Sequence, residues 1–384
     1  MDIFGTGLSL LLLGGGALYL GACCLAFLGL SRRGKTGVRE TPFVSVVVAA
    51  RNEAENIGLL LDDLLAQDYP QDRFEIIAVD DFSEDNTRAI IKEYARREQK
   101  VHPAETHFSL SPYRHKKRAI HEGILKSCGE IIMTVDADCR VPVGWIRGMV
   151  GRLDKTVELA AGEVMVEGRG MLAMLETLEF TGIQAMAAGC MNMGFPLTCN
   201  GANMAYRRAA FERVKGFEGV GGLVSGDDDL LMHKIARGGL NRVAFVTGRE
   251  TAVTVGAVKH VGEFLSKRTR WASKIRAYPS GAAIVFLSAV FLFFAAALVG
   301  FLSWIAGLTG CISLAAGMGM KTAGDFLLAG TGVLKAGKPL LLMVFPLAEI
   351  LHIPYILFVT VRGYFGTFEW HGRRTGAFAA DGEQ

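Results

Sequence analysis

The sequence predicts an α/β domain with a mostly parallel central sheet, flanked by transmembrane helices. Three observations predict it. Apolar, uncharged runs gather at the two ends of the chain. Between them, short β-branched runs alternate with leucine-periodic and charged stretches, the pattern of a doubly wound sheet. Carboxylates stand at the ends of successive β-type runs, where such sheets bind ligands. Of the 384 residues, 51% are hydrophobic, and the mean hydropathy of +0.31 is high for a wholly soluble protein. A formal charge of +3 is too small to suggest a nucleic-acid binder. Seven scattered cysteines without a C-x-x-C pair argue against a disulfide framework and a zinc site, and place the soluble part in a reducing compartment.

Residues 8–30, LSLLLLGGGALYLGACCLAFLGL, carry no charge and are long enough to span a bilayer. A cleaved signal peptide competes with that reading, but no basic segment precedes the run and Ser31-Arg32-Arg33-Gly34-Lys35 follows it directly. Basic residues prefer the cytoplasmic side, so the N-terminus is expected outside and the chain after Arg32 inside. Residues 44–50, VSVVVAA, read as a strand buried on both faces. A leucine-periodic helix is expected over 56–67 and a second strand over 74–79, ending at Asp80-Asp81. A charged surface helix follows over 88–100, then a helix over 116–127 and a third strand over 131–135, ending at Asp136-Ala137-Asp138.

The paired carboxylates of Asp136 and Asp138 repel each other, and a cation would remove the conflict. A turn accounts for an isolated Asp-x-Asp equally well. Three polar strand ends converging on one crevice exceed what turn chemistry requires, since Ala50-Arg51-Asn52-Glu53 and Asp80-Asp81 accompany the pair. Neither a Rossmann glycine fingerprint nor a P-loop follows the first strand. Residues 171–190 are Met- and Ala-rich and helical in pattern, as a core or membrane-facing helix would be. Asn200 to Arg207 combines a turn with a short strand. Ser225-Gly226-Asp227-Asp228-Asp229 then sets three acids before an apolar helix, more than an N-cap needs. Lys267-Arg268-Thr269-Arg270-Trp271 precedes the next apolar run and reads either as a snorkelling cluster or as a pyrophosphate and ring contact.

Residues 282–308 form an uncharged run, and 339–361 another that encloses Glu349 and His352. Arg362 and His371-Gly372-Arg373-Arg374 follow it and are expected on the cytoplasmic side. Three crossings satisfy both ends. Residues 311–320 could belong to a fourth, and 325–334 read as an interfacial segment. Glu349 in an apolar run is costly, which makes it a functional or a helix-pairing residue.

Taken together, these motifs resemble a membrane-bound family 2 glycosyltransferase with a GT-A domain, similar to cellulose and poly-N-acetylglucosamine synthases and to lipid glycosyltransferases. The resemblance runs from about Val44 to Trp271. It rests on Ala50-Arg51-Asn52-Glu53, on Asp80-Asp81-Phe82-Ser83-Glu84-Asp85-Asn86-Thr87, on Lys116-Lys117-Arg118-Ala119-Ile120, on Asp136-Ala137-Asp138 and on Asp227-Asp228. It implies a nucleotide-diphosphate sugar donor, a UDP-sugar, and a membrane-associated lipid or glycan acceptor that takes a hexose or N-acetylhexosamine with inversion. Asp138 and Asp136 would hold Mg²⁺ or Mn²⁺. Ala50, Glu53, Asp80 or Asp81, Lys116, Asp136 and Lys267 would contact substrate, and Asp228, with Asp227 beside it, would carry the base. Arg270 and Trp271 would act at the leaving group and acceptor. Lys267 stands where processive synthases favour Gln, which points to single addition rather than polymer synthesis. A membrane-tethered nucleotidyltransferase would present an early glycine-rich loop, absent here. A non-catalytic scaffold would be expected to lose Asp138, Asp228 or Trp271, all present. The expected division is an anchor and basic linker over 1–40, a cytoplasmic catalytic domain over 41–278 and a membrane region over 279–384, in the inner membrane of a bacterium. No protein partner leaves a signal in the sequence.

Overall fold

The computed structural model describes residues 3–32, 41–106, 113–223, 226–370 and 373–376. Arg33, Gly34, Lys35, Ser225, His371 and Gly372, named above, lie outside them. In chain order the elements begin with α1 (Ile3–Leu30), β1 (Val44–Ala50), α2 (Ile57–Leu65), β2 (Phe74–Asp80), α3 (Thr87–Arg97) and β3 (Val101–Glu105). Then come α4 (His115–Lys126), β4 (Ile131–Asp136), β5 (Cys139–Arg140), α5 (Trp145–Val150), β6 (Leu159–Gly162), β7 (Val164–Glu167) and α6 (Met171–Asn192). They continue with β8 (Met204–Arg207), α7 (Arg208–Arg213), α8 (Asp229–Ala236), β9 (Val243–Val246), β10 (Val253–Gly256) and α9 (Val261–Ser273). The last are α10 (Gly281–Ile305), α11 (Ile312–Lys335), α12 (Phe345–Phe365), β11 (Thr367–Trp370) and β12 (Arg373–Gly376). They fall into two compact units. A helical unit holds residues 1–32, 168–193 and 258–368, and an α/β unit holds 33–167, 194–257 and 369–384.

The α/β unit is built on a seven-stranded sheet in the order β3-β2-β1-β4-β8-β6-β9. β1, β2, β3 and β4 run parallel, and β8 is antiparallel to β4 and to β6. The β-branched runs become the central strands because both of their faces are covered: Val44, Val46, Val48, Ile76, Ile77, Val79, Ile132 and Met133 are fully or almost fully buried. Gly123 lets α4 lie directly on β1, since a Cβ there would meet Val47 Cγ1 at 2.4 Å. Register pairs Ala50 with Asp80 and Ala49 with Asp136, so three polar strand ends emerge side by side. A smaller sheet, β5-β10-β7, was invisible in the sequence because its strands are two to four residues long.

In the helical unit, α1, α10 and the segment 339–365 are long and apolar enough to cross a membrane. Residues 311–320 and 325–334 are not separate pieces, as expected from the sequence, but parts of the continuous helix α11. Lys321 and Asp325, one turn apart, pair with each other at 2.7 Å, and Lys321 reaches Glu349 at 2.8 Å. Mutual neutralisation therefore keeps the charges inside the helix instead of ending it. Glu349 also accepts from Thr322 Oγ1 at 3.0 Å, a helix-pairing role. The helices α6 and α9, read from the sequence as parts of the soluble domain, belong to the helical unit.

Candidate active site

The site of the α/β unit forms where β1, β2 and β4 end. The loops after β1 and β2 are tied together by side chains: Asn52 N–H donates to Ser83 Oγ at 3.0 Å and Glu84 N–H to Asn52 Oδ1 at 2.8 Å. Glu53 N–H donates to Thr87 Oγ1 at 2.7 Å, and Ala54 N–H to Asp85 Oδ2 at 3.0 Å. Asn52 and Phe82 have φ of 54° and 58°, left-handed backbone that costs about 1–3 kcal/mol and collects at functional sites. Ser83, Asp85 and Thr87 thus hold Glu53 in place, a task their sequence pattern did not reveal. Burial pushes the Glu53 carboxyl up to about 7, against the Asn56 amide that donates to it, and with the Asp138 and Asp136 charges adding to the rise.

Asp80 and Asp81, indistinguishable in sequence, differ in structure. Arg118 Nη2 donates to Asp81 Oδ1 at 2.8 Å and Thr106 Oγ1 donates to the same oxygen at 2.8 Å. Both members of the Arg118–Asp81 pair are buried, with side chains 2% and 9% exposed. Asp80 keeps one buried oxygen, Oδ1, without a hydrogen-bond partner, and burial raises its carboxyl above the usual value. Breaking a buried ion pair costs about 3–5 kcal/mol. Arg118→Met is therefore expected to lower the unfolding midpoint of the detergent-solubilised protein sharply. Arg118→Met combined with Asp81→Leu should recover part of the loss, and an unchanged midpoint in the single variant would refute the pairing's structural role.

Lys116, at the start of α4, reaches across to β4 and to the N-terminus of α8. Its ammonium pairs with Asp136 Oδ1 and lies 3.2 Å from Asp227 Oδ2. Burial alone would lower the Lys116 pKa, but Asp136 and Asp227 outweigh it and hold the ammonium above its ordinary value. Gly201 makes room for this meeting: a Cβ there would stand 2.8 Å from Asp227 Oδ2 and 3.3 Å from Lys116 Nζ. Asp228 caps α8, accepting from Asp229 N–H at 2.7 Å through Oδ1 and from Gly201 N–H at 3.3 Å through Oδ2. Asp229 is fully buried and pinned by Cys199 N–H at 2.7 Å and Thr198 Oγ1 at 3.0 Å, which makes it structural. Asp138 follows the end of β4 and is exposed; Cys139 Sγ lies 3.6 Å from its Oδ1. Ala50 is the buried last residue of β1, and its carbonyl accepts from Asp81 N–H at 2.8 Å.

A set of carboxylate oxygens suits a hard divalent cation. Asp136 and Asp138, with the Lys116 ammonium against Asp136, leave further ligands to be supplied by a bound substrate. Among the described residues, the group of three whose ligand atoms lie within 4.8 Å of one another is instead Asp325, Glu349 and His352 of the helical unit, where Lys321 already neutralises the acids.

Lys267, Arg270 and Trp271, expected to share one site with these residues, lie on α9 in the helical unit. There the Trp271 ring lies tilted, 5.6 Å from that of Phe180 of α6, and the guanidinium of Arg268 sits over it at 4.3 Å. Lys267 lies 3.8 Å from Glu176, and the Arg270 carbonyl accepts from Ser273 Oγ at 2.8 Å. The residue that organises this cluster is Arg268, which the sequence did not single out. Its Nε donates to Glu179 at 3.0 Å, and Glu179 also accepts from Tyr355 of α12 at 2.6 Å.

Two family descriptions match the chain. "Glycosyl transferase family 2" covers residues 45–215 and "Glycosyl transferase family group 2" covers residues 131–361. Glycosyltransferase AglE of Haloferax volcanii is 32% identical over 124 residues, 32% of this chain and 40% of that protein. A beta-monoglucosyldiacylglycerol synthase of Synechocystis is 34% identical over 109 residues, 28% of this chain and 22% of that protein. A poly-beta-1,6-N-acetyl-D-glucosamine synthase of Staphylococcus epidermidis is 28% identical over 179 residues, 44% of this chain and 41% of that protein. The matches thus span less than half the length of these relatives. Among solved structures, mannosyltransferase PcManGT of Pyrobaculum calidifontis, in complex with GDP-Man and Mn²⁺, superposes with a TM-score of 0.59 at 22% identity, covering 93% of this chain and 98% of that one.

Proposed function

The chain belongs to glycosyl transferase family group 2, and on that premise we propose that it is an inverting hexosyltransferase that makes single additions to a membrane-associated lipid or glycan. The observation that carries this reading is the crevice at the ends of β1, β2 and β4. There a lysine paired with Asp136 and Asp227 stands beside the exposed Asp138 and an aspartate that caps α8. Those are the charges needed to bind a nucleoside diphosphate sugar and to deprotonate a hydroxyl.

Each residue has a task. Asp80, with its buried unpartnered oxygen, accepts from the nucleoside, and Asp81 supports the loop through Arg118. Glu53 and the end of β1 at Ala50 complete the nucleoside wall. Asp138 and Asp136 would hold Mg²⁺ or Mn²⁺, which neutralises charge on the departing diphosphate. Lys116 moves its charge from Asp136 toward that diphosphate as the donor arrives. Asp228 takes the acceptor proton while the hydroxyl attacks the anomeric carbon, and a single displacement inverts that carbon. The α/β unit works on the cytoplasmic side.

The donor is a sugar nucleotide, a UDP-sugar by the sequence resemblance; the PcManGT structure holds GDP-Man, so the panel must include both. Membranes containing the protein, given UDP-, GDP- and CMP-sugars with Mn²⁺ or Mg²⁺, are expected to release the nucleoside diphosphate from one donor only when the metal is present. Attachment of one sugar per acceptor supports single addition, whereas a ladder of products would establish a processive synthase. No turnover of any donor would leave a non-catalytic scaffold.

A further inference from the structure

By length and apolar composition, residues 339–365 qualify as a membrane crossing, whereas α11 does not. The contacts of the helical unit point the other way. From them we infer that α11 is the third crossing and that residues 339–365 form a re-entrant segment. This segment enters and leaves the membrane on the face where the chain passes into the α/β unit, and its exposed apolar side chains lie against lipid.

α1 and α11 run parallel along their full lengths. Ser9 Oγ meets Ser313 Oγ at 3.1 Å near one end, and at the other Lys335 Nζ reaches the Leu30 carbonyl at 3.5 Å. Between these ends Gly16 packs on Gly317, and Gly324 on Cys23. α10 runs against both: Phe293 fills the space at Gly15, and Gly300 abuts Leu12 and Leu314. Three antiparallel or parallel passes of this kind return the chain at Lys335 to the level of Leu30, the end of α1 from which it enters the α/β unit.

From there α12 cannot complete a fourth pass. Leu341 and Val344, just before it, pack with Ala329 and Val333 in the last turns of α11 and with Leu178 of α6. Glu349 then meets Lys321, and the His352 ring stands 5.5 Å from Phe294, the deepest level the segment reaches. Beyond Pro354 the helix continues unbroken to Phe365, running along α9 rather than down α10 and α11. Tyr355 packs at 5.5 Å on Phe264 of α9, and Gly363 lies so close to α9 that a Cβ would stand 2.8 Å from the Thr269 carbonyl. α9 is the helix that leads directly into the start of α10, so both ends of the segment lie at one end of the bundle. A helix of 21 residues is about 32 Å long and would otherwise end beside Ser9 and Ser313.

The re-entrant course explains two oddities. It leaves Leu340, Met343, Ile350 and Phe365 exposed along one segment, where acyl chains of a single leaflet would cover them. It also delivers Glu349 and His352 sideways to Lys321 and Asp325, so a charged helix crosses the bilayer with its charges paired.

The test uses the full chain in sealed vesicles of both orientations. In a chain carrying Cys24→Ser and Cys128→Ser, whose native thiols are otherwise exposed, cysteines are placed singly at Arg32, Lys338 and Gly366, with the native Cys311 as the reference for the far face, and labelled with a membrane-impermeant maleimide. Arg32→Cys, Lys338→Cys and Gly366→Cys are expected to react from one face and Cys311 from the other. Reaction of Lys338→Cys and Gly366→Cys from opposite faces would overturn the inference. The wild-type chain supplies an independent reading: trypsin added to one face should cut at Lys338 and at Arg373 together. Cleavage at these two sites from different faces would overturn it as well.

Discussion

Asp138→Asn is expected to abolish measurable donor turnover while leaving the protein folded. The side chain is exposed at the end of β4, so replacing it with an isosteric amide disturbs no core and should move the unfolding midpoint little. Its chemical effect is large by contrast. A bound divalent cation contributes several kcal/mol of transition-state charge stabilisation, and losing it lowers kcat about 10²–10³-fold or more. The fall should be steepest with Mg²⁺, and excess Mn²⁺ should restore part of the activity if the loss is one of metal affinity. Asp136→Asn makes a different comparison, because it also frees Lys116 to pair with Asp227 alone. Near-wild-type turnover in Asp138→Asn, at any metal concentration, would remove Asp138 from the catalytic machinery.

The contrast between Asp138 and its neighbours shows how far a sequence can be read. β1, β2 and β4 were legible because strands buried on both faces must be runs of β-branched residues, and their polar ends stand out against such runs. Lys116 and the Asp-x-Asp were legible as motifs. Their ion pair was not, and neither was the approach of Asp227, which lies 111 positions along the chain from Lys116 and meets it only because Gly201 leaves space. Asp80 and Asp81 stayed alternatives in the sequence for a related reason: the Asp81 partner Arg118 sits on another element, and pattern cannot tell a bound carboxylate from an open one.

Long-range pairing also misled the reading of the membrane region. Lys321 and Asp325 interrupt an apolar pattern, so α11 looked like two fragments. Their partner Glu349 lies 28 positions beyond Lys321 and was itself read as an anomaly in a different helix. Charge in a membrane segment marks a conflict only until the partner is found. The same holds for the Lys267–Trp271 stretch, whose neighbours Glu176, Glu179 and Phe180 come from a helix that composition alone describes as featureless.

Asp228→Asn tests the chemistry from the acceptor's side. Asn caps helices about as well as Asp, so the bond accepted from Asp229 N–H survives and α8 keeps its start. Only the capacity to take a proton is removed, and a positioned general base contributes about 10²–10⁴-fold. Donor affinity should remain as in the wild type while kcat for transfer falls by that factor, and the acidic limb of the pH–rate profile should vanish with the carboxylate. Asp227→Asn provides the control, because it removes the second partner of Lys116 while leaving Asp228 intact; its expected effect falls mainly on donor affinity. If Asp227→Asn instead removes the acidic limb and Asp228→Asn retains it, the base is Asp227 and the capping aspartate merely builds the wall of the site.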